Sequence, residues 1–436
     1  MSREVETFAE ADRRDAFADV ARRTLGSRTL DNKATAAVRG RVRWVNPAWL
    51  TLFASVALCL VGVFAIDLTS GLDPDGLSFY AKRQLVFLAI GLVTCAVCMT
   101  LHFRNAAYFA WPLAVIVAFL LVFVLLPFVP EWLVLPRKGA RRWISLGLFD
   151  LQPSELAKVA FVLVTAGYLQ FRESYRTFFG LARPMLLAAV PMALILVEPD
   201  LGTATLFAPA LLAMLVAAGA KLVHLIGTGV AGVAFAAVVV AVSLAAAEQD
   251  AYPLLRPHQV ERIQAVVERF EGDDRFIDSR GFQGQQALTL VGSGGAFGNS
   301  EDKTRAFVRF SGIPEAHNDM IFAVVVNRWG AAGGIVVLVL VALWGLGAVL
   351  TAAVTKDPFG RLIVVGFAAF ILSQATINIG MTIGLFPITG MTLPFVSYGG
   401  SSLVAGFIMV GLICNVGLRR DPHLWRRSFE FDDDET

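Results

Sequence analysis

The chain opens on a polar stretch and then becomes a series of long apolar runs separated by short polar breaks. Residues 1–46 are rich in Arg, Asp, Glu and Ala with no large aliphatic run, which predicts a poorly ordered tail that is retained and not cleaved as a leader. Beyond it, apolar runs lie near 49–66, 84–101, 108–128, 153–170, 184–198, 202–219, 222–247, 320–353, 360–385 and 394–418. Each approaches the roughly 20 residues that carry a helix across a bilayer. The pattern predicts an all-α polytopic fold of about ten transmembrane helices, a membrane domain over 47–418, and a polar tail over 419–436. The eighth run is too long for one upright span, so strong tilt or continuation beyond the membrane is expected. Between the seventh and eighth runs stands a large loop, 248–319, dense in charges of both signs.

Composition agrees with a bilayer as solvent: 56% of residues are hydrophobic and 17% charged, and the mean hydropathy is +0.65. A net charge of +2 without a continuous basic patch argues against nucleic acid as a partner. Cys59, Cys95, Cys98 and Cys414 all fall in apolar runs. They read as small packed hydrophobes, since no second Cys/His pair stands at zinc spacing from Cys95 and Cys98.

Lys and Arg set an expected orientation. Lys33, Arg39, Arg41 and Arg43 precede the first run, Arg419, Arg420, Arg426 and Arg427 follow the last, and alternate loops carry Arg104, Arg172, Arg176, Arg183, Lys221, Lys356 and Arg361. Both termini are therefore expected in the cytoplasm. Arg137, Lys138, Arg141 and Arg142 lie on the opposite side, against that bias, which suggests an anionic ligand there or, alternatively, salt bridges to loop carboxylates such as Glu131 and Asp150.

Several ionisable residues lie in or beside the apolar runs, where their cost makes function the default hypothesis. Glu155 and Lys158 share a helix face at i, i+3, as a structural ion pair or a polar cavity lining. Glu198-Pro199-Asp200-Leu201-Gly202 is a tight turn with two carboxylates. Gly292-Ser293-Gly294-Gly295 offers flexible backbone for close approach to a ligand. Asp319, just before the run that starts at Met320, could cap that helix or, in low-dielectric surroundings, act as a general base. The Gly, Pro and hydroxyl residues of 378–402 imply broken helices around a cavity.

Seven runs in register resemble the SEDS family (shape, elongation, division and sporulation), which includes FtsW and RodA. They are KGARRWISLG from Lys138, QPSELAK from Gln152, EPDLGT from Glu198, GFQGQQALTLVGSGGAFG from Gly281, PEAHNDMIFAV from Pro314, the segment from Asn378 to Gly390, and LPFVSYGGSS from Leu393. The resemblance implies a ten-span SEDS fold in the bacterial inner membrane and a peptidoglycan glycosyltransferase that polymerises lipid II on the outer face, in division or elongation. It implies Asp319 as the catalytic acid of the P-E-x-H-x-D run. Glu155, Lys158, Asp200, Arg141, Arg142, Trp143, His317 and Ser293 become expected substrate-binding residues. It leaves room for a divalent cation, Mg or Mn, with no metal ligand assigned. Expected partners are lipid II, a class B penicillin-binding protein that crosslinks the product, and other membrane proteins of the division or elongation machinery.

The sequence departs from the family pattern at Asn318, usually Thr, at Asn327-Arg328, usually Glu-Glu, and after the Gly-Ser-Gly-Gly run, where Asn299 to Lys303 replace a glycine-rich continuation. On a straight helix Arg328 would lie about 13.5 Å beyond Asp319, and Glu155 is its expected partner. The departure motivates one alternative, a catalytically weakened scaffold for the penicillin-binding protein. The ten spans and broken helices motivate another, a flippase or transporter of lipid-linked precursors.

Overall fold

The computed structural model describes residues 45–70, 76–134, 136–137, 140–147, 149–172, 174–248, 282–313 and 315–419. The expected N-terminal tail up to residue 44, the loop stretch 249–281 and the C-terminal tail from 420 lie outside the described residues.

The described chain is a helical bundle. Its helices are α1 Ala48–Leu68, α2 Phe79–Thr100, α3 Asn105–Leu125, α4 Pro153–Leu169, α5 Ala182–Val197, α6 Leu201–Thr205, α7 Phe207–Ala218 and α8 Leu222–Glu248. They continue as α9 Phe282–Gly294, α10 Glu301–Ser311, α11 Ile321–Val354, α12 Pro358–Thr382 and α13 Gly400–Leu418. Two small antiparallel hairpins interrupt the loop between α3 and α4, β1 Pro136–Arg137 with β2 Ala140–Arg141, and β3 Ile144–Ser145 with β4 Asp150–Leu151.

Among the described residues, nine segments are long and apolar enough to cross a membrane, α6 and α7 together forming one of them. The tenth expected span is α4, only 17 residues long but buried along nearly its whole length. Its charged pair is enclosed, whereas α3 presents Phe109, Trp111, Val115, Ile116 and Phe119 on the outside. Apolar side chains facing outward around an enclosed ion pair are what a hydrocarbon solvent selects. This is a multi-pass membrane protein.

Boundaries shift where side chains or backbone demand it. The second span begins at Phe79, earlier than its apolar run, because Ser78 caps α2 by accepting from Ala81 N. The last two spans are shorter than their runs: α12 ends at Thr382, and 383–399 form an irregular segment with Pro387, Pro394 and left-handed Gly384 and Gly390. The eighth run is long for a reason hydropathy does not reveal. It is two helices joined at Gly330, whose φ of 70° and ψ of −165° are not helical.

The end of α9 repairs that break. Ala331 N and Ala332 N donate to Gly295 O and Ala296 O, so backbone groups freed at membrane depth find partners. The approach is possible only without side chains. A Cβ on Gly330 would fall 2.4 Å from Ala296 C, and one on Gly294 would fall 2.2 Å from Val326 O. Thus Gly292-Ser293-Gly294 is the last turn of a docked helix and not the flexible loop the sequence suggested.

Candidate functional site

The irregular segment 383–399, with the first turn of α13, is the hub on which the candidate residues converge. Three consecutive carbonyls of the stretch bearing Asp319 are held there or beside it. Tyr398 N donates to His317 O at 3.0 Å, Ser397 Oγ to Asn318 O at 2.7 Å, and Asn378 Nδ2 to Asp319 O at 2.9 Å. The same Asn378 Nδ2 also donates to Met391 O. Left-handed Gly390 lies alongside, where a Cβ would stand 3.6 Å from Asp319 Oδ2. The N-cap position of α11 is Met320, with no side-chain cap. Asp319 thus stands one position before the N-cap, held at a helix mouth through its backbone.

His317 sits in an aromatic cluster, stacked on Tyr80 with centroids 4.6 Å apart and edge-on to Tyr398 at 5.5 Å. Tyr80 belongs to the first turn of α2, and Gln84 one turn later donates to Ser397 O at 3.0 Å. The start of α2 therefore shares the end of the bundle that holds Asp319.

Beneath the hub, Lys158 Nζ lies 2.7 Å from Glu155 Oε2 and 2.9 Å from Gln374 Oε1, all buried. Gln374 donates in turn to Thr392 O. A small polar cavity lined by Glu155, Lys158, Gln374, Ser402 and apolar neighbours has room for about one water, about 10 Å³. Both readings of the pair thus hold in part: it is an ion pair, and it lines a cavity.

Asp200 caps α6, accepting from Thr203 N and Thr203 Oγ1, and lies 3.8 Å from Arg142 Nη1. The turn it closes packs on the hub through Gly202, where a Cβ would stand 2.6 Å from Met391 Cγ. Arg142 clamps this turn, donating to Glu198 O at 2.8 Å and to Pro199 O. Glu198 is fully buried, and neither of its carboxyl oxygens has a hydrogen-bond partner among the described residues. Burial first, and the neighbouring Asp200 second, push its carboxyl up to about 9, with Arg142 opposing.

The remaining expected residues lie elsewhere or do other work. Arg141 donates to Val129 O and Pro127 O beyond the end of α3. Trp143 is half-buried between β2 and β3. Ser293 Oγ donates to Leu290 O and accepts from Asn327 Nδ2 at 2.8 Å, tying α9 to α11. Arg328 does not reach Glu155. It donates to Asn299 O at 2.9 Å and lies over the Trp329 ring, because the break at Gly330 places it against the 290–299 segment. Asn327 and Arg328 therefore serve that joint and leave the Asp319 stretch to other partners.

Sequence reading passed over Gln374, Tyr80 and Arg83. A lone Gln within an apolar run was the available signal for the first. For the others it was the aromatic and basic cluster Phe79-Tyr80-Ala81-Lys82-Arg83, left outside a span drawn from 84. Among the described residues no three His, Cys, Asp or Glu side chains converge, and Glu155 and Asp200 face Lys158 and Arg142.

Fold and site together define a multi-pass membrane protein with a pinned carboxylate, an aromatic cluster and a buried ion pair gathered around one broken segment. Residues 46–421 match the family model described as cell cycle protein, FtsW/RodA/SpoVE, and the chain belongs to this family. It is 33% identical over 381 residues to stage V sporulation protein E of Bacillus subtilis strain 168, covering 85% of this chain and 97% of that one. It is 35% identical over 346 residues to the probable peptidoglycan glycosyltransferase FtsW of Thioalkalivibrio sulfidiphilus, covering 78% and 80%. Among solved structures, a chain of a peptidoglycan synthase complex that coordinates polymerization and crosslinking superposes with a TM-score of 0.68 at 29% identity, covering 85% of this chain and 97% of that one. The rod shape determining protein RodA of Thermus thermophilus superposes at 0.59 and 26%, covering 86% and 98%.

Proposed function

We propose that this chain is a peptidoglycan glycosyltransferase that polymerises lipid II at the outer face of the bacterial inner membrane, with Asp319 as general base. The observation that carries this reading is the pinning of His317, Asn318 and Asp319 by three separate donors. A base must be positioned before its basicity is useful, and a backbone fixed at three successive carbonyls positions it. The names of the similar proteins support the reaction class, and lipid II is the substrate that the family resemblance implies.

The reaction follows from the chemistry of the substrate. The 4-hydroxyl of the acceptor sugar is a weak nucleophile at neutral pH. Its oxygen bonds to the anomeric carbon of the donor, the bond from that carbon to the diphosphate breaks, and the hydroxyl proton passes to the Asp319 carboxylate. Undecaprenyl diphosphate leaves with the bonding electrons, and its charge calls for nearby cations. Glu155, Lys158 and Gln374 shape the floor under the hub, Asp200 and Arg142 its side, and His317 its aromatic wall. Apolar helix surfaces accommodate the isoprenoid tails.

A class B penicillin-binding protein is the proposed partner, supported by the likeness to a chain of a peptidoglycan synthase complex. The distribution of Lys and Arg supports cytoplasmic termini. The test is incubation of the purified full-length protein with lipid II, with and without candidate partners, followed by separation of glycan strands. Strands that disappear in Asp319→Asn are expected. Absence of polymer under every partner condition would refute the reading.

A further inference from the structure

The leaving diphosphate must meet positive charge at the end of the bundle that holds Asp319, and the cations expected from the sequence to bind substrate hold groups of the bundle itself. Arg141 serves Pro127 O and Val129 O. Arg142 serves Glu198 O, Pro199 O and Asp200. Lys158 faces Glu155 and Gln374 beside a cavity that holds about one water, too little space for a phosphate group.

Arg83 has partners too, and what sets it apart is its place beside the site. Arg83, half-buried in the second turn of α2, has its guanidinium carbon 5.5 Å from the ring centroids of both Phe79 and Phe87. These three residues recur every fourth position and so form one row along the helix. The row joins the aromatic cluster at both ends, Phe79 edge-on to Tyr80 at 5.7 Å and Phe87 tilted on Tyr398 at 6.2 Å. Tyr80 and Tyr398 both contact the His317 ring, two positions before Asp319. Gln84, next to Arg83, is bonded to Ser397 O, and a Cβ on Gly400 would stand 2.8 Å from Phe87 Cζ. Arg83 is thus fixed against the segment that fixes Asp319.

A guanidinium meets a ring through its π face, and it grips phosphate through the N–H fork in its plane, so the two contacts are compatible on one side chain. Exposed Lys82 adds a positive charge at the adjacent position. The end of a span is also where a lipid-linked diphosphate lies, its tail in hydrocarbon and its charge at the interface.

We propose that Arg83, held by Phe79 and Phe87, binds the diphosphate of the polyprenyl-linked donor and of the leaving product. The proposal rests on the glycosyltransferase reading and adds a binding residue to it.

The test titrates the full-length protein in detergent with undecaprenyl diphosphate and with undecaprenyl monophosphate. Arg83→Gln is expected to weaken diphosphate binding about tenfold or more, as loss of a charge-assisted contact does, and to affect the monophosphate less. Arg83→Met, which keeps an unbranched stem across the two rings, should show the same loss. Wild-type affinity in either variant overturns the proposal. Hydrogen exchange on the unmutated protein provides a readout independent of variant folding: diphosphate should protect residues 79–87, and no protection there overturns it. Inorganic pyrophosphate should compete with the lipid. Equal competition by phosphatidylglycerol would make Arg83 a general anionic-lipid contact and overturn the proposal. Lipid II polymerisation is followed in parallel. Arg83-dependent binding without polymerisation refutes the enzyme reading alone, and polymerisation with Arg83-independent binding refutes this inference alone.

Discussion

Lys158 and Glu155 meet one turn apart on α4, Nζ to Oε2 at 2.7 Å, with both side chains buried and Gln374 as the further partner of the ammonium. Such a pair is costly to assemble and costlier to halve, because the surviving charge keeps its desolvation penalty without its counter-charge. Glu155→Gln is expected to destabilise the protein by about 3–5 kcal/mol. The double variant Glu155→Gln with Lys158→Met should be less destabilised than the sum of its parts. Thermal unfolding in detergent across the four proteins measures the coupling, and strict additivity would contradict it.

Asp319 has a different signature. Asp319→Asn keeps the backbone acceptor that Asn378 uses and removes the carboxylate's charge and basicity. Polymerisation should fall about a hundredfold or more, with a melting temperature close to that of the unmutated protein. A variant that polymerises lipid II at the original rate would remove Asp319 from the mechanism.

Gly330 predicts a backbone effect. Its φ of 70° is joined to a Cβ position 2.4 Å from Ala296 C, so Gly330→Ala meets both strain and a clash. A loss of at least about 1–3 kcal/mol is expected. Gly227→Ala on α8 is the control, since a Cβ there meets nothing within 4 Å and helix propensity favours alanine. Similar unfolding temperatures for the two variants would show that the α9–α11 joint is looser than described.

Glu198 predicts a pH dependence. Its carboxyl is raised from 4.5 to about 9 by burial and by Asp200, so between those values the folded state binds a proton that the unfolded state has released. The stabilising contribution is complete below the unfolded value and is lost as pH rises toward about 9. The unmutated protein should therefore lose stability from pH 5.5 to 8.5 more steeply than Glu198→Gln. Parallel melting curves over that range would show that the carboxyl is ionised when folded.

The hydropathy runs alone determined a helical membrane protein of about ten spans, since a hydrocarbon solvent admits few other answers for such segments. The order of the polar motifs pointed to Asp319, Glu155, Lys158 and Asp200, because charges that survive inside apolar runs are few and stand out. Tertiary structure alone decided what those charges do. Glu155 and Lys158 sit at i, i+3, so their contact was legible locally, but Gln374 reaches Lys158 from α12, and no local pattern encodes that. Arg141 and Arg142 looked alike as neighbours in one basic loop, yet one binds carbonyls beyond α3 and the other clamps the Glu198–Asp200 turn. Arg328 looked deep in a continuous helix, and only the docking of α9 at Gly330 breaks that helix and brings Arg328 to Asn299. Hydropathy reports the solvent each segment prefers. Hydrogen-bond partners and close backbone contacts are set by which segments the bundle brings together.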